Sequence, residues 1–168
     1  MKKILEKLFV FEASLKVLAF FAQRKHFAKL TLWATQSSAQ LNLLLNKPTP
    51  TEKIEELGTA WQNMMPPDGK AFFKITEITA DTAFAEIHLH CPLRGTGNVE
   101  ACHKLMNYDR SLMKAVGGEL IVLESQSNSG KNFCRLAIRK KGANTSDLVP
   151  AYQSDNTTGC QYRSENPN

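Results

Sequence analysis

The sequence predicts an α+β fold, with N-terminal helices followed by an antiparallel sheet laid out as hairpin, helix, hairpin. Three observations lead there. Apolar residues recur with a period near four from residue 3 to residue 64. From Lys70 the period falls to two. Each alternating stretch is interrupted by a short turn, Ala80-Asp81-Thr82 in the first and Ser127-Asn128-Ser129-Gly130 in the second.

Residues 3–24 place Ile4, Leu8, Phe11, Leu15, Leu18 and Ala22 on one helical face, and Leu5, Phe9, Val17, Phe20 and Phe21 widen it. A second helix is expected over 26–46 with Phe27, Leu30, Trp33, Ala34, Leu41, Leu44 and Leu45 turned inward. Lys47-Pro48-Thr49-Pro50 ends it, because proline disfavours helix in the residue before it and cannot continue one itself. Thr51 is the expected cap of a third helix, 52–64, with Ile54, Leu57, Trp61, Met64 and Met65 on its apolar side. Pro66-Pro67-Asp68-Gly69 reads as the boundary between a helical region, 1–66, and a core, 67–141.

In the core, Ala71–Thr79 and Ala83–Cys91 form the first hairpin. Ala85, Ile87, Leu89 and Cys91 share one face of its second strand, and Phe84, Glu86, His88 and His90 share the other. Asn98 caps a helix that runs to Gly117-Gly118, where glycine suits a left-handed C-terminal position. Glu119–Gln126 and Asn132–Lys140 form the second hairpin. Residues 142–168 are poor in apolar groups and are expected to be a disordered tail, with Cys160 an exposed thiol.

A chain of 168 residues suits one domain and can bury a real core. Its net charge of +5 lies entirely within residues 1–30, which carry seven Lys and Arg against Glu6 and Glu12. A protein-wide nucleic-acid surface is therefore not expected. Four cysteines at irregular spacing form no disulfide framework and no C-x-x-C pair, so reduced thiols in the cytoplasm are expected. Glu6, Lys7, Glu12 and Lys16 interrupt the apolar N-terminus, which excludes both a signal peptide and a span of about 20 apolar residues. The first helix suits a core or homodimer contact. Its lysine-rich polar side also suits a membrane surface.

The chemistry concentrates in Glu86–Lys141, which holds three of the four cysteines and three of the four histidines. On the helix at 98–117, Val99, Cys102, Leu105, Met106, Asp109, Leu112, Met113 and Val116 make one stripe. A carboxylate on that stripe needs a partner or a proton. Asp109 is thus either a structural Asp held by an Arg or by backbone amides, or a site residue sharing a pocket with Cys102. Glu86, His88 and His90 on one strand face offer metal-ligating groups, although strand alternation alone also places polar residues there. Arg94-Gly95-Thr96-Gly97 ahead of a helix offers an anion cradle, best suited to a small carboxylate, or forms a plain turn. Glu124 and Cys134 depend on register. Pairing Gln126 with Asn132 puts both on one side, and pairing Gln126 with Lys131 separates them.

The run Cys91-Pro92, Ala101-Cys102 with Asp109, Gly130, and Cys134-Arg135-Leu136-Ala137-Ile138-Arg139 resembles the L-2-amino-thiazoline-4-carboxylic acid hydrolase family over about residues 70–141. That resemblance implies a hydrolase that opens a cyclic, carboxylated thiazoline. Cys102 would be nucleophile or ligand, Asp109 base or orienter, and Arg94 with His90 and Cys91 would hold the substrate. A thiolate at Cys102 would need a lowered pKa, with His103 or His90 as the means. The same region is similar to the 4-vinyl reductase domain, a small-molecule-binding and sensing module, through Cys102, Glu124 and the Gly130…Cys134 segment. This second resemblance implies zinc on Cys102, Glu124 and Cys134. Ser127 stands where aromatic-sensing members have a further cysteine, which removes one ligand from a tetrahedral set.

Overall fold

The computed structural model describes residues 2–66 and 69–153, so Cys160 and the end of the expected tail lie outside the described residues. The elements run α1 (Lys2–Ala22), a 3-10 turn (Lys25–Phe27), α2 (Ala28–Asn46), α3 (Ile54–Asn63), α4 (Gly69–Phe72), β1 (Phe73–Ile78), β2 (Ala83–Ile87), α5 (Val99–Leu105), α6 (Asn107–Ala115), β3 (Gly118–Glu124) and β4 (Cys134–Lys140). The expected α+β class is the one formed.

The strands make a single antiparallel sheet in the order β1-β2-β4-β3. Both hairpins form, and β2 joins them by pairing with β4, Ile87 opposite Cys134 and Ala83 opposite Ile138. The inner face carries Phe73, Ala83, Ala85, Leu120, Val122, Cys134, Leu136 and Ile138, which meet Leu57 and Trp61 of α3 and Leu112 and Met113 of α6 in one core. Helices α3 and α6 therefore lie against the sheet, while α1 and α2 sit a layer further out against α5 and α6. The opposite face carries Phe84, Leu123 and Ala137, with Leu148 over them.

Several details differ from the sequence reading. Thr51 is two residues short of the N-cap of α3, which is Lys53; its hydroxyl accepts from Lys53 N–H and donates to Glu56. The helix expected over 98–117 breaks at Met106 into α5 and α6, with the Asn98 cap on Ala101 N–H intact. The stretch after β4 folds back: Ala151 N–H donates to Val122 O, and Leu148 and Ala151 are buried. Chain order and low apolar content hid this, since two well-placed side chains suffice to cover a small sheet face.

The largest difference is in α2. Its inward residues are Thr31, Thr35 and Ala39, while Leu30, Trp33, Leu41, Leu44 and Leu45 face outward. Polar contacts set this rotation. Asn107 Nδ2 of α6 donates to Thr35 Oγ1 at 3.1 Å, and Asn42 Nδ2 donates to Tyr108 OH at 2.7 Å and to Met64 O at 2.9 Å. Buried polar groups must be matched one by one, whereas a leucine face needs only some apolar cover. Among the described residues no helix is long and apolar enough to cross a membrane.

Candidate functional site

Three thiols gather at the end of the sheet where β2 stops and β4 begins. Cys134 opens β4 on its inner face, Cys102 reaches that face from α5, and Cys91 stands in the loop after β2. Between them runs Ser125-Gln126-Ser127, buried although wholly polar. Ser125 Oγ donates to Cys102 Sγ at 3.0 Å and lies 2.8 Å from Ser127 Oγ, while Gln126 N–H donates to Cys134 Sγ at 3.4 Å. Burial pushes the Cys102 thiol up to about 11, against the opposing Ser125 bond, and pushes Cys134 up to about 12 with Cys102 adding to it. Cys91 is also raised, again chiefly by burial. The cluster is protonated and soft, not anionic.

Asp109 lies on the same apolar stripe, 7 % exposed. Trp61 Nε1–H of α3 donates to its Oδ1 at 2.9 Å. The side-chain partner is thus an indole, a group the sequence reading did not name, with Arg110 and a backbone amide adding smaller support. A buried indole N–H and a buried carboxyl each need what the other offers. Burial still dominates, holding the Asp109 pKa up at about 6 against the lowering effects of Trp61 and Arg110.

Arg110 follows Asp109 on α6 and points toward α5. It donates to His103 O at 2.6 Å and to His103 Nδ1 at 3.4 Å. Arginine has no acceptor, so Nδ1 is the unprotonated ring nitrogen. Burial and Arg110 both lower the His103 pKa, so His103 stays neutral and cannot supply the cation that would activate Cys102. Tyr152, from the returning C-terminal stretch, stacks edgewise on His103 at 4.5 Å. Among the described residues Arg110 has no carboxylate within ion-pair distance.

Of the two readings of Arg94–Gly97, the turn is the one whose backbone bonds are formed. Gly95 N–H donates to Gln126 O and Gly97 N–H to Ser127 O, while Thr96 N–H turns back to Leu93 O. The amides that would have held a carboxylate fasten the loop to 125–127. Arg94 is a strut in the same joint, Nε to Gln126 Oε1 at 2.8 Å and Nη2 to Asn132 O at 3.0 Å. Gln126 completes it by accepting from Cys91 N–H and donating to Leu89 O at 2.8 Å.

The metal-ligating sets do not assemble either. In β3–β4 the pairing up to Val122–Leu136 is the register that would set Glu124 opposite Cys134, but an irregularity between Val122 and Glu124 moves Glu124 opposite Arg135. Arg135 lies on the outer face over the Phe84 ring, so Glu124 is across the sheet from Cys102 and Cys134. Its Oε2 takes an ion pair with Lys131 at 2.5 Å, without a well-aligned hydrogen bond. Glu86 of β2 pairs at 2.8 Å with His88 just past the strand end, and His88 stacks on Phe133, while His90 is exposed in the loop. Among the described residues no group of three or more His, Cys, Asp or Glu is arranged to hold a metal ion.

Of the residues singled out from sequence, Cys91, Cys102 and Cys134 meet, and Asp109 lies close enough to oppose ionisation of Cys102 and Cys134. Arg94 reaches that centre as a strut, through Gln126 Oε1 and Cys91 O, and His90 is exposed in the loop. Trp61, Arg110, Ser125 and Gln126 belong to it and were not singled out. Trp61 was not recoverable as the partner of Asp109, since Trp33 also lies on an apolar helical stripe of the sequence; Ser125 and Gln126 follow only from the β3 bulge, which has no sequence signature here. No family model matches this chain, and no curated protein or solved structure does.

Proposed function

We propose that this chain is a small-molecule-binding domain of the 4-vinyl reductase type, in which the cysteines line and brace the site and none acts as a nucleophile. The state of Cys102 carries this reading. The thiol is buried, accepts from Ser125, and is raised to about 11. Attack on a thiazoline ring would begin with an ionisation that burial opposes more strongly than Arg110 favours it, and neutral His103 adds no cation of its own. Arg110, half-buried beside Asp109 and bonded to His103, supplies the positive charge that a carboxylate-bearing ligand requires. Arg94 is committed to Gln126 and is no longer the group for that task.

A second reading, hydrolysis of a cyclic carboxylated substrate, is favoured by one observation. Asp109 at about 6 suits general acid–base work near neutral pH, taking a proton from water and returning it to the leaving ring atom. One experiment separates the two. The full chain is mixed with 2-amino-thiazoline-4-carboxylate and with aromatic carboxylates, and thermal unfolding and release of free thiol are followed together. Binding without turnover is expected, with a rise in unfolding temperature that Arg110→Ala abolishes. Thiol release that disappears in Asp109→Asn would establish the hydrolase instead. Absence of both effects with every carboxylate would sink the carboxylate-binding reading.

A further inference from the structure

The outward face of α2 has the composition of an interface, and among the described residues its large apolar side chains stay exposed. Leu30, Trp33, Leu41, Leu44 and Leu45 are 46 %, 66 %, 59 %, 70 % and 74 % exposed. Leu30, Ala34, Ser37, Leu41 and Leu44 follow spacings of four, three, four and three, the seam of two helices packed side by side. Ser37, small and central, permits close approach at the middle of that seam. Between Leu30 and Asn46 there is no Lys, Arg, Asp or Glu. Charge depletion marks the centre of a protein interface. A membrane-surface helix instead needs basic residues on its polar side, and the polar side of α2 is already spent on Asn107 and Tyr108.

We propose that this face is the contact between two copies of the chain, packed as a symmetric α2–α2 pair. Size agrees. The five exposed side chains offer about 500 Å² per copy, hence about 1,000 Å² across a pair, the lower bound for a specific interface. The same patch would be at the upper end for a stable monomer. Because a two-fold contact brings the same residue of each copy together near its axis, Ser37 faces its counterpart.

Sedimentation equilibrium of the full chain over a wide concentration range is expected to show a dimer. Leu41→Glu/Leu44→Glu should be monomeric with an unchanged far-ultraviolet spectrum and unfolding curve. Ser37→Cys in a Cys160→Ser background, which leaves the apolar face intact, should give a covalent dimer under mild oxidation, while the background alone gives none. A wild-type chain that stays monomeric to about 100 µM, a range that would still detect weak association, would overturn the proposal. So would a dimer unaffected by the double variant. A monomer that sediments with vesicles of phosphatidylcholine and phosphatidylglycerol, and loses this with the double variant, would overturn it in favour of a lipid surface.

Discussion

At the scale of single residues, Asp109 and Trp61 form the pair on which most of the site chemistry turns. The Asp109 pKa is about 6 in the folded chain against an ordinary 3.8, so the folded state binds the proton more tightly than the unfolded state. Stability linked to Asp109 is therefore fully present below about pH 4 and falls as pH rises through 6. At pH 7.5 the ionised, buried carboxylate costs on the order of 3 kcal/mol. Asn keeps an acceptor for Trp61 N–H without the charge. Asp109→Asn should accordingly be more stable than wild type at pH 7.5 and indistinguishable or slightly weaker at pH 4, as read by urea unfolding at both values. An advantage that does not change with pH would show that Asp109 is not buried as charge. That Asp109 was unusual could be read from the sequence, because a carboxylate on an apolar helical stripe is an exception needing a cause. Its partner could not, because Trp61 is 48 residues away and only the packing of α3 on α6 brings the two together. Glu124 and Cys134 were legible in the same partial way: one of two registers joined them, and the structure adopts it as far as Val122 before the bulge removes Glu124.

At the scale of elements, periodicity located helices and strands but not which face each turns inward. The inner stripe of α1 came out as expected, with Phe11, Leu15, Leu18 and Ala22 against the core. In α2 the same rule reversed the helix, because its inward contacts are hydrogen bonds from Asn42 and Asn107 that apolar counting ignores. Turns were more transparent where backbone geometry demands glycine. Gly117, between α6 and β3, has φ +93°, and a Cβ there would stand 2.8 Å from Thr51 O, which belongs to the segment leading into α3. Thr51 N–H donates to Val116 O at the same place, so neither chain can withdraw without breaking that bond. Gly130 has φ +72° but open space around its Cβ position. Gly130→Ala should cost about 1–2 kcal/mol, the price of the left-handed conformation alone. Gly117→Ala adds a clash with backbone and should cost clearly more, about 3 kcal/mol or above. Parallel urea titrations of the two variants test this, and equal losses would mean that the Thr51 segment moves aside freely.

At the scale of the whole molecule, the order of elements was legible and the closure was not. One antiparallel sheet of two hairpins was expected without the order of its strands; β2–β4 pairing supplies that order, and the chain after β4 returns to cover the outer face. Arg139 fastens that return. Its side chain is buried, donates from Nε to Thr82 Oγ1 at 2.7 Å, and forms a two-pronged contact with Asp147 at 2.6 Å on each oxygen, with Asn144 O as a further acceptor. One side chain thus joins the β1–β2 turn, β4 and the returning segment. Asp147 is largely exposed, so most of its value lies in satisfying a guanidinium that would otherwise be buried with less compensation. Asp147→Ala leaves Arg139 its bonds to Thr82 and Asn144 but, as a carboxylate, the longer contact to Asp81 at 3.8 Å, and should lower stability at pH 7 by about 1–3 kcal/mol, or several degrees in unfolding temperature. The Arg139 bond holds the Asp147 pKa below its ordinary 3.8, so this contribution is present above that value and disappears as pH falls through the folded pKa. That sign is opposite to Asp109. Acidification should therefore close the gap between Asp147→Ala and wild type while it closes the gap for Asp109→Asn from the other side. Unfolding measured at pH 7 and pH 3 on both variants checks the pair, and an Asp147→Ala protein as stable as wild type at pH 7 would show that the returning segment holds without its ionic clasp.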